Sequence, residues 1–326
     1  MSRKAIGRRS VVTAALAAPL LSSPARAQGA WPTKPIRIVV PFNPGGAIDA
    51  LVRVIAEGLT AKLGQQVLVD PKPGANTIVG SEIVAKAAPD GYTFLITTNS
   101  THTNNPSLFA KLPFDPAKDL RGVTMLAYSP HLLVVHPSVA ANNLKELVAF
   151  SKTGKLDFAV TAMGSAPHLA GVAVEKATGA RWVYIPYKGG SQAIGDTVAG
   201  QTQVLMNGML ATLPFVQSGK LKVLGVSKAT RVPLLPNVPT IAEQGVAGFE
   251  SGTWQGALVP AGTPPDVVAR LSAELTRIIR SPEVRSRLTA QGAEVYTMTP
   301  AEFSTFFDRE QKRWSTVVAA GGIKIE

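Results

Sequence analysis

The chain contains no cysteine. That excludes disulfides, thiol nucleophiles and thiolate metal sites. Histidine is nearly as scarce, with His102, His131, His136 and His168 as the four examples. No two of them stand in the H-x-x-x-H spacing that sets two ligands on one helix face, so no metal site is read here. No long block of like charges occurs, which excludes a basic arm for nucleic acid. Beyond the first residues, no apolar run approaches the roughly 20 residues that a membrane span takes. Internal repeats and low-complexity tracts are missing as well.

The N-terminus carries an export pattern instead. Arg8 and Arg9 stand together, residues 10–21 are uncharged, and Ala25-Arg26-Ala27 follows. A positive start, a short apolar run and a small-x-small end are the parts of a secretory signal. The paired arginines suit twin-arginine export, and the general secretory route fits too. Removal of residues 1–27 is expected, giving a periplasmic chain that starts near Gln28. That segment holds Arg3, Lys4, Arg8, Arg9 and Arg26 and no acid, so the formal charge falls from +12 to +7 (12 minus 5). The remainder is a mildly basic surface with its charge scattered. The remaining 299 residues (326 minus 27) suffice for two ordinary domains, and a 45% hydrophobic content supports ample cores.

Short β-branched runs alternate with helical patterns. Residues 36–40, 66–69 and 92–97 read as strands, with helices over 47–63 and 77–87 between them. The pattern recurs later: strands at 132–135, 157–161, 183–185, 204–206 and 222–226, with helices over 144–151, 167–178, 190–199 and 211–218. Such alternation predicts a largely parallel sheet with helices on both faces. Residues 229–265, rich in proline and glycine, read as a return crossing rather than a core element. Two long helical patterns, 265–280 and 300–319, close the chain. Two β/α modules with a late crossing predict an α/β clamshell. Residues 28–128 plus 253–326 form its first domain, and residues 129–252 form its second.

In open α/β sheets, ligands bind at the carboxyl ends of strands, so the loops there carry the functional reading. The first holds Phe42, Gly45, Gly46, Ala47 and Asp49. Its paired glycines admit a ligand close to the main chain, and the helix that follows offers free N–H groups to a carboxylate. It has neither the nucleotide P-loop spacing nor G-x-G-x-x-G. Asp49 is read as a ligand contact or as an acid that holds the loop. The second holds Gly164, Ser165 and His168, with Pro167 in the first helical turn. A Ser–His pair invites a hydrolase, but G-x-S-x-G is absent and no acid is placed to orient His168, so no catalytic residue is assigned. His168 is read as a ligand contact or a capping histidine. In the third, Tyr187 and Lys188 precede Gly189-Gly190, and Tyr187 is a candidate to close over a ligand. Thr98 and Asn99 belong to a polar cluster, residues 97–101, after the third strand. Asn207 follows a later strand and can both donate and accept. Glycine- or hydroxyl-rich loops after strands in both modules are how a cleft for a small anion is built.

These stretches resemble a known family when taken in order. They are Pro41-Phe42 with Pro44-Gly45-Gly46 and Asp49; Lys72-Pro73-Gly74-Ala75; Pro89-Asp90-Gly91-Tyr92-Thr93; and Gly164-Ser165 with His168-Leu169-Ala170. Pro186-Tyr187-Lys188-Gly189-Gly190 and Ala199-Gly200-Gln201 follow. Arg231 comes next, with Leu235-Pro236 and Val238-Pro239-Thr240; Glu302-Phe303, Trp314 and Gly322-Ile323-Lys324 close the set. The chain resembles the solute-binding receptors of tripartite tricarboxylate transport systems, the Bug family. The resemblance implies a type II periplasmic-binding clamshell of two α/β domains with the ligand cleft between them. It implies capture of a small carboxylate (a dicarboxylate, a tricarboxylate or an aromatic acid) and its delivery to a membrane permease. A clamshell needs its cleft free, so a monomer is expected, and no cofactor is read. One ligand carboxylate is expected against the 42–49 loop and the facing 164–168 loop, often through waters. Family members often carry an acid near the position of Asn207, and the neutral amide here weakens a preference for amino acids. Two other readings are a sensor subunit for a membrane histidine kinase and an exported hydrolase using Ser165 and His168.

Overall fold

The isoleucines and valines of β1 (Ile36–Val40) are buried, and that strand opens the fold. The computed structural model describes residues 31–324, so the export segment and its cleavage point lie outside the described residues. After β1 come α1 (Ala47–Leu63), β2 (Val67–Pro71), α2 (Ile78–Ala85) and β3 (Thr93–Thr98). The short α3 (Asn105–Leu108) and α4 (Pro116–Asp119) lead into the long β4 (Leu120–Val135). Next are α5 (Leu144–Thr153), β5 (Asp157–Val160), α6 (Ala166–Thr178), β6 (Val183–Pro186), α7 (Gly190–Val198), β7 (Val204–Gly208), α8 (Met209–Gln217) and β8 (Lys222–Val226). The chain returns through β9 (Gly252–Pro260), α9 (Pro265–Ile279), α10 (Pro282–Ala290), β10 (Glu294–Val295) and α11 (Pro300–Gly321).

The strands form one sheet in the order β2-β1-β3-β9-β4-β7-β5-β6, with β8 and β10 also paired to β4. The outer pairs are parallel, β1 with β2 and β3, and β5 with β6 and β7. The middle is antiparallel, which corrects the largely parallel sheet that the alternation predicts. The reason lies in β9, which enters the centre from the opposite direction. Residues 229–265 are therefore not merely a crossing: β9 lies between β3 and β4, and eight of its nine residues are buried. A strand buried on both faces shows no polar–apolar alternation, and glycines break its apolar run.

β4 is the pivot of the sheet. Leu120 to Pro130 pair with β9, and His131 to Val135 pair with β7. Its 16 residues reach about 50 Å at roughly 3.3 Å each, enough to serve two sets of partners. Each end of the sheet has its own core. Trp254, Phe303 and Phe307 centre one. Phe158, Trp182 and Trp314 mark another. The single helix α11 supplies both, with its first turns in one and its later turns in the other. It starts on a capping box, Thr299 accepting from Glu302 N while Glu302 accepts from Thr299 N, so its register is fixed before it crosses.

Candidate functional site

The loop after β1 is held by its own acid. Asp49 Oδ2 accepts from Gly45 N at 3.1 Å and from Arg53 Nε at 2.9 Å. Burial pushes the Asp49 carboxyl up, but the bonds from Arg53 and Gly45 outweigh it and leave the pKa lowered. Asp49 thus takes the loop-holding role. Gly46 caps α1 with no side chain of its own, and Ala47 is the first helical residue, so no side chain occupies the first-turn donors of α1. Phe42 sits half-buried in the same loop.

The loop after β5 is tied from within and from outside. Thr161 Oγ1 and Ser165 Oγ bond at 3.1 Å. Gly164, at φ 75°, donates its N–H to His168 Nδ1 at 2.9 Å. That region favours glycine, because a Cβ would crowd the following carbonyl. Its carbonyl accepts from Asn104 Nδ2 at 3.0 Å. Burial lowers the His168 pKa to about 4, so the ring is neutral with Nδ1 as acceptor. His168 also meets Tyr184 edge-on, with centroids 4.9 Å apart. Ser165 is bonded to Thr161 and His168 to Gly164, so the Ser–His pair of a hydrolase is not assembled.

The loop after β6 faces the loop after β1. Asn43 Nδ2 donates to the Lys188 carbonyl at 3.4 Å. An added Cβ at Gly46 would lie 3.9 Å from Ser191 Oγ. On its other side, an added Cβ at Gly190 would lie 3.5 Å from Asn207 Nδ2 and 3.8 Å from Thr161 Cγ2. The N-termini of α1, α6 and α7 therefore converge, and none has a side-chain cap. By contrast α4, α5 and α11 are capped by Asp115, Asn143 and Thr299. Caps are also missing at α2, α3, α8, α9 and α10, so it is the convergence that distinguishes these three. Free N–H groups and the positive ends of helix dipoles at one point favour an anion.

Asn207 lies within β7 rather than after it, opposite Leu132. Its side chain is nine-tenths buried and makes no hydrogen bond among the described residues. Tyr187 lies elsewhere. Its ring packs with the apolar side chains around α7 and α8, and its hydroxyl lies beside Asp196 and Thr202, towards the end of α7 opposite the Gly189 cap. Burial and then Asp196 raise its pKa. Asn99 bonds to the start of the central strand β9, donating to the Gly252 carbonyl at 3.3 Å and accepting from Trp254 N at 3.1 Å. Thr98 is buried, and its side chain makes no hydrogen bond among the described residues. Thr97 and Thr101 turn inward to a buried hydroxyl network with Thr77 and Ser81.

Sequence reasoning missed Asn43, Ser191, and the neighbours Asn104 and Asn105. Asparagine pairs before a proline carry strong local bonding capacity, the one signal available at 104–106. It also missed a turn in which Ala75, Asn76 and Thr77 have φ of 43°, 48° and 77°. Among the described residues, no group of three or more His, Asp or Glu side chains could hold a metal, and no helix is long and apolar enough to cross a membrane.

Residues 51–323 match the family described as Tripartite tricarboxylate transporter family receptor. The chain belongs to that family. It is 36% identical over 318 residues to a protein in the tcbD-tcbE intergenic region of Pseudomonas sp. strain P51, covering 96% of this chain and 94% of that one. It is 34% identical to protein BugT of Bordetella pertussis, covering 97% and 96%. Among solved structures, Rpa4515 of R. palustris with adipate superposes with a TM-score of 0.86 at 32% identity, covering 90% of this chain and all (100%) of that one. MatC of Rhodopseudomonas palustris with bound malate gives 0.82 at 30%, covering 88% and 100%. The periplasmic binding protein BugD gives 0.84 at 32%, covering 90% and 100%. This family member therefore has the periplasmic-binding-protein fold.

Proposed function

We propose that this receptor captures a small carboxylate in the periplasm and hands it to a membrane permease. The observation that carries the reading is the meeting of three uncapped helix N-termini, those of α1, α6 and α7, around the unpartnered amide of Asn207. The relatives solved with adipate and malate support a carboxylate as the ligand.

One ligand carboxylate sits against Gly46, Ala47, Gly164 and Ser165, with Phe42 and Thr98 on the walls and Asn207 reading the far group. Asp49, His168 and Asn99 act by holding those loops. Tyr187 contributes by packing under α7. The cleft lies between two lobes, residues 28–128 plus 253–326 and residues 129–252. The change of partner along β4 between Pro130 and His131 supports that division. The receptor performs no catalysis, works as a monomer and is exported with removal of residues 1–27. No observation favours a sensor subunit for a membrane kinase over transport.

Thermal unfolding against mono-, di- and tricarboxylates, amino acids and aromatic acids tests the reading. Binding to the folded state alone stabilises it by about 2.7 kcal/mol at a hundredfold excess over Kd. A midpoint rise with one carboxylate class is expected. A refolded, ligand-stripped protein that responds to none of them refutes the proposal.

A further inference from the structure

Of the three converging helices, α7 brings the fullest set of donors. Its first hydrogen bond runs from Ala193 N to the Gly189 carbonyl at 3.3 Å. The N–H groups of Gly190, Ser191 and Gln192 therefore have no partner within the helix. α6 offers fewer, because Pro167 in its first turn has no N–H. Ser191 adds a hydroxyl that is exposed and makes no hydrogen bond among the described residues. Its Oγ stands beside the cap of α1, 3.9 Å from where a Cβ on Gly46 would lie. The nine-tenths buried amide of Asn207, without a hydrogen bond among the described residues, closes the other side, 3.5 Å from where a Cβ on Gly190 would lie. Lys188, exposed and in no ion pair among the described residues, adds a positive charge just before the helix. The nearby acids are turned elsewhere. Asp196 lies towards the opposite end of α7, beside the Tyr187 hydroxyl, and Asp49 is bonded to Gly45 and Arg53.

We propose that Ser191, the α7 N-terminus and Asn207 form a second anion subsite, and that Ser191 makes the receptor prefer a ligand with a second carboxylate. The inference rests on the receptor reading given above, in which the first carboxylate sits against the loops before α1 and α6. The chemistry of the second subsite is one-sided. Three backbone N–H groups, a hydroxyl and an amide NH2 all donate, and an ionised carboxylate only accepts. Hydrogen bonds to an ionised acceptor are also the stronger kind. A carboxamide in the same place would set its own NH2 against those donors. An ammonium would face the positive end of the helix dipole and the Lys188 charge. Ser191 is the member of the set that a substitution removes while leaving both the backbone donors and the buried core intact.

The experiment titrates wild type, Ser191→Ala and Ser191→Asp calorimetrically with succinate, malate and adipate and with the monoamide of each. The monoamide keeps the length and one carboxylate and changes the second group alone. Wild type is expected to bind at least one dianion about tenfold or more tighter than its monoamide, the size of effect given by hydrogen bonds to a charged group. Ser191→Ala should weaken that dianion about tenfold and leave the monoamide within about twofold. Ser191→Asp should weaken the dianion further, through like-charge repulsion. An acid in a first helical turn suits the helix dipole, so the ligand-free melting point of the aspartate variant should equal or exceed that of wild type. That separates a lost contact from a damaged helix. If wild type binds dianion and monoamide equally, or if the variants weaken both alike or neither, the second subsite is wrong and the receptor reading stands. If wild type binds none of these ligands and no other carboxylate, both fall.

Discussion

Gly164 and His168 fix each other, the glycine N–H pointing at the imidazole Nδ1 from 2.9 Å. The arrangement requires a neutral ring. A proton on Nδ1 would set donor against donor and release the loop that precedes α6. A chemically similar condition governs His131, which is fully buried with Nδ1 3.0 Å from Ser251 Oγ and Nε2 2.9 Å from Thr253 Oγ1, where β4 passes from one set of partners to the other. His102 is buried too, stacked on Phe307 with centroids 4.1 Å apart.

These three histidines predict acid sensitivity. Burial lowers the pKa of His102 and His168 to about 4 and that of His131 to about 3. In the unfolded chain each titrates at about 6.5. Below that pH the unfolded state binds protons that the native state refuses, so stability is full above about 6.5 and falls as pH drops towards the folded values. With three such groups the slope approaches about 4 kcal/mol per pH unit near pH 5. Melting points taken from pH 7.5 to 4.5 check this, and His168→Asn should flatten the slope by roughly a third. A midpoint that does not move between pH 6.5 and 5 contradicts it.

Gly190→Ala separates binding from folding. The added methyl meets Asn207 Nδ2 at 3.5 Å and Thr161 Cγ2 at 3.8 Å, ordinary contact distances, so the fold accepts it. It fills the space between the α7 N-terminus and the unpartnered amide. Carboxylate affinity should drop about tenfold or more while the ligand-free melting point stays within about 2 °C. Calorimetric titration beside a melting curve gives both numbers, and an unchanged affinity would remove this point from the site.

Gly256→Ala acts on the core instead. Its Cβ would stand 2.4 Å from Phe303 Cζ, far inside contact distance. Overpacking of this kind costs about 2–3 kcal/mol. Trimming the partner with Phe303→Leu should recover part of the loss, so the double variant is more stable than the two single losses added together. Urea unfolding of the four proteins measures the coupling, and simple additivity would show that the contact is relieved elsewhere.

Much of the scaffold was legible because its signals are local. Gly-Gly after Ile36–Val40, proline in the first turn of α6 and Gly189-Gly190 before α7 each mark a strand-to-helix loop by backbone chemistry alone. β9 was not legible, since Trp254, Gly256 and Leu258 are chosen for neighbours on both faces and leave no period to read. The first part of β4 was hidden in the same way, with Gly122 admitting Phe303 and Phe307 close to the strand. The roles of candidate site residues divided along a similar line. That Asp49 and His168 hold loops was foreseeable as one of two options, because acids and histidines in first helical turns commonly bond nearby N–H groups. That Tyr187 turns under α7, and that Asn104 reaches Gly164 across 60 residues of sequence, are tertiary facts with no local mark.

Ala75→Gly should stabilise the protein. Ala75 is exposed at φ 43°, a conformation that costs an L-residue about 1–2 kcal/mol. Glycine removes that cost while its freer unfolded chain returns about 0.5–1 kcal/mol. A net gain of about 0.5–1 kcal/mol is expected, read as a higher urea midpoint. Ala75→Val should move the other way.

The single strand β4 and the single helix α11 have a consequence for inheritance as well as for shape. Cutting the chain into its two halves would leave each with part of a severed strand and one end of a helix whose apolar face belongs to the other. Neither piece could be lent to another protein or melt by itself, so the whole body should unfold in one cooperative step. In such a scaffold the loop tips can change at least cost to the shared elements, which keep the two cores as one unit.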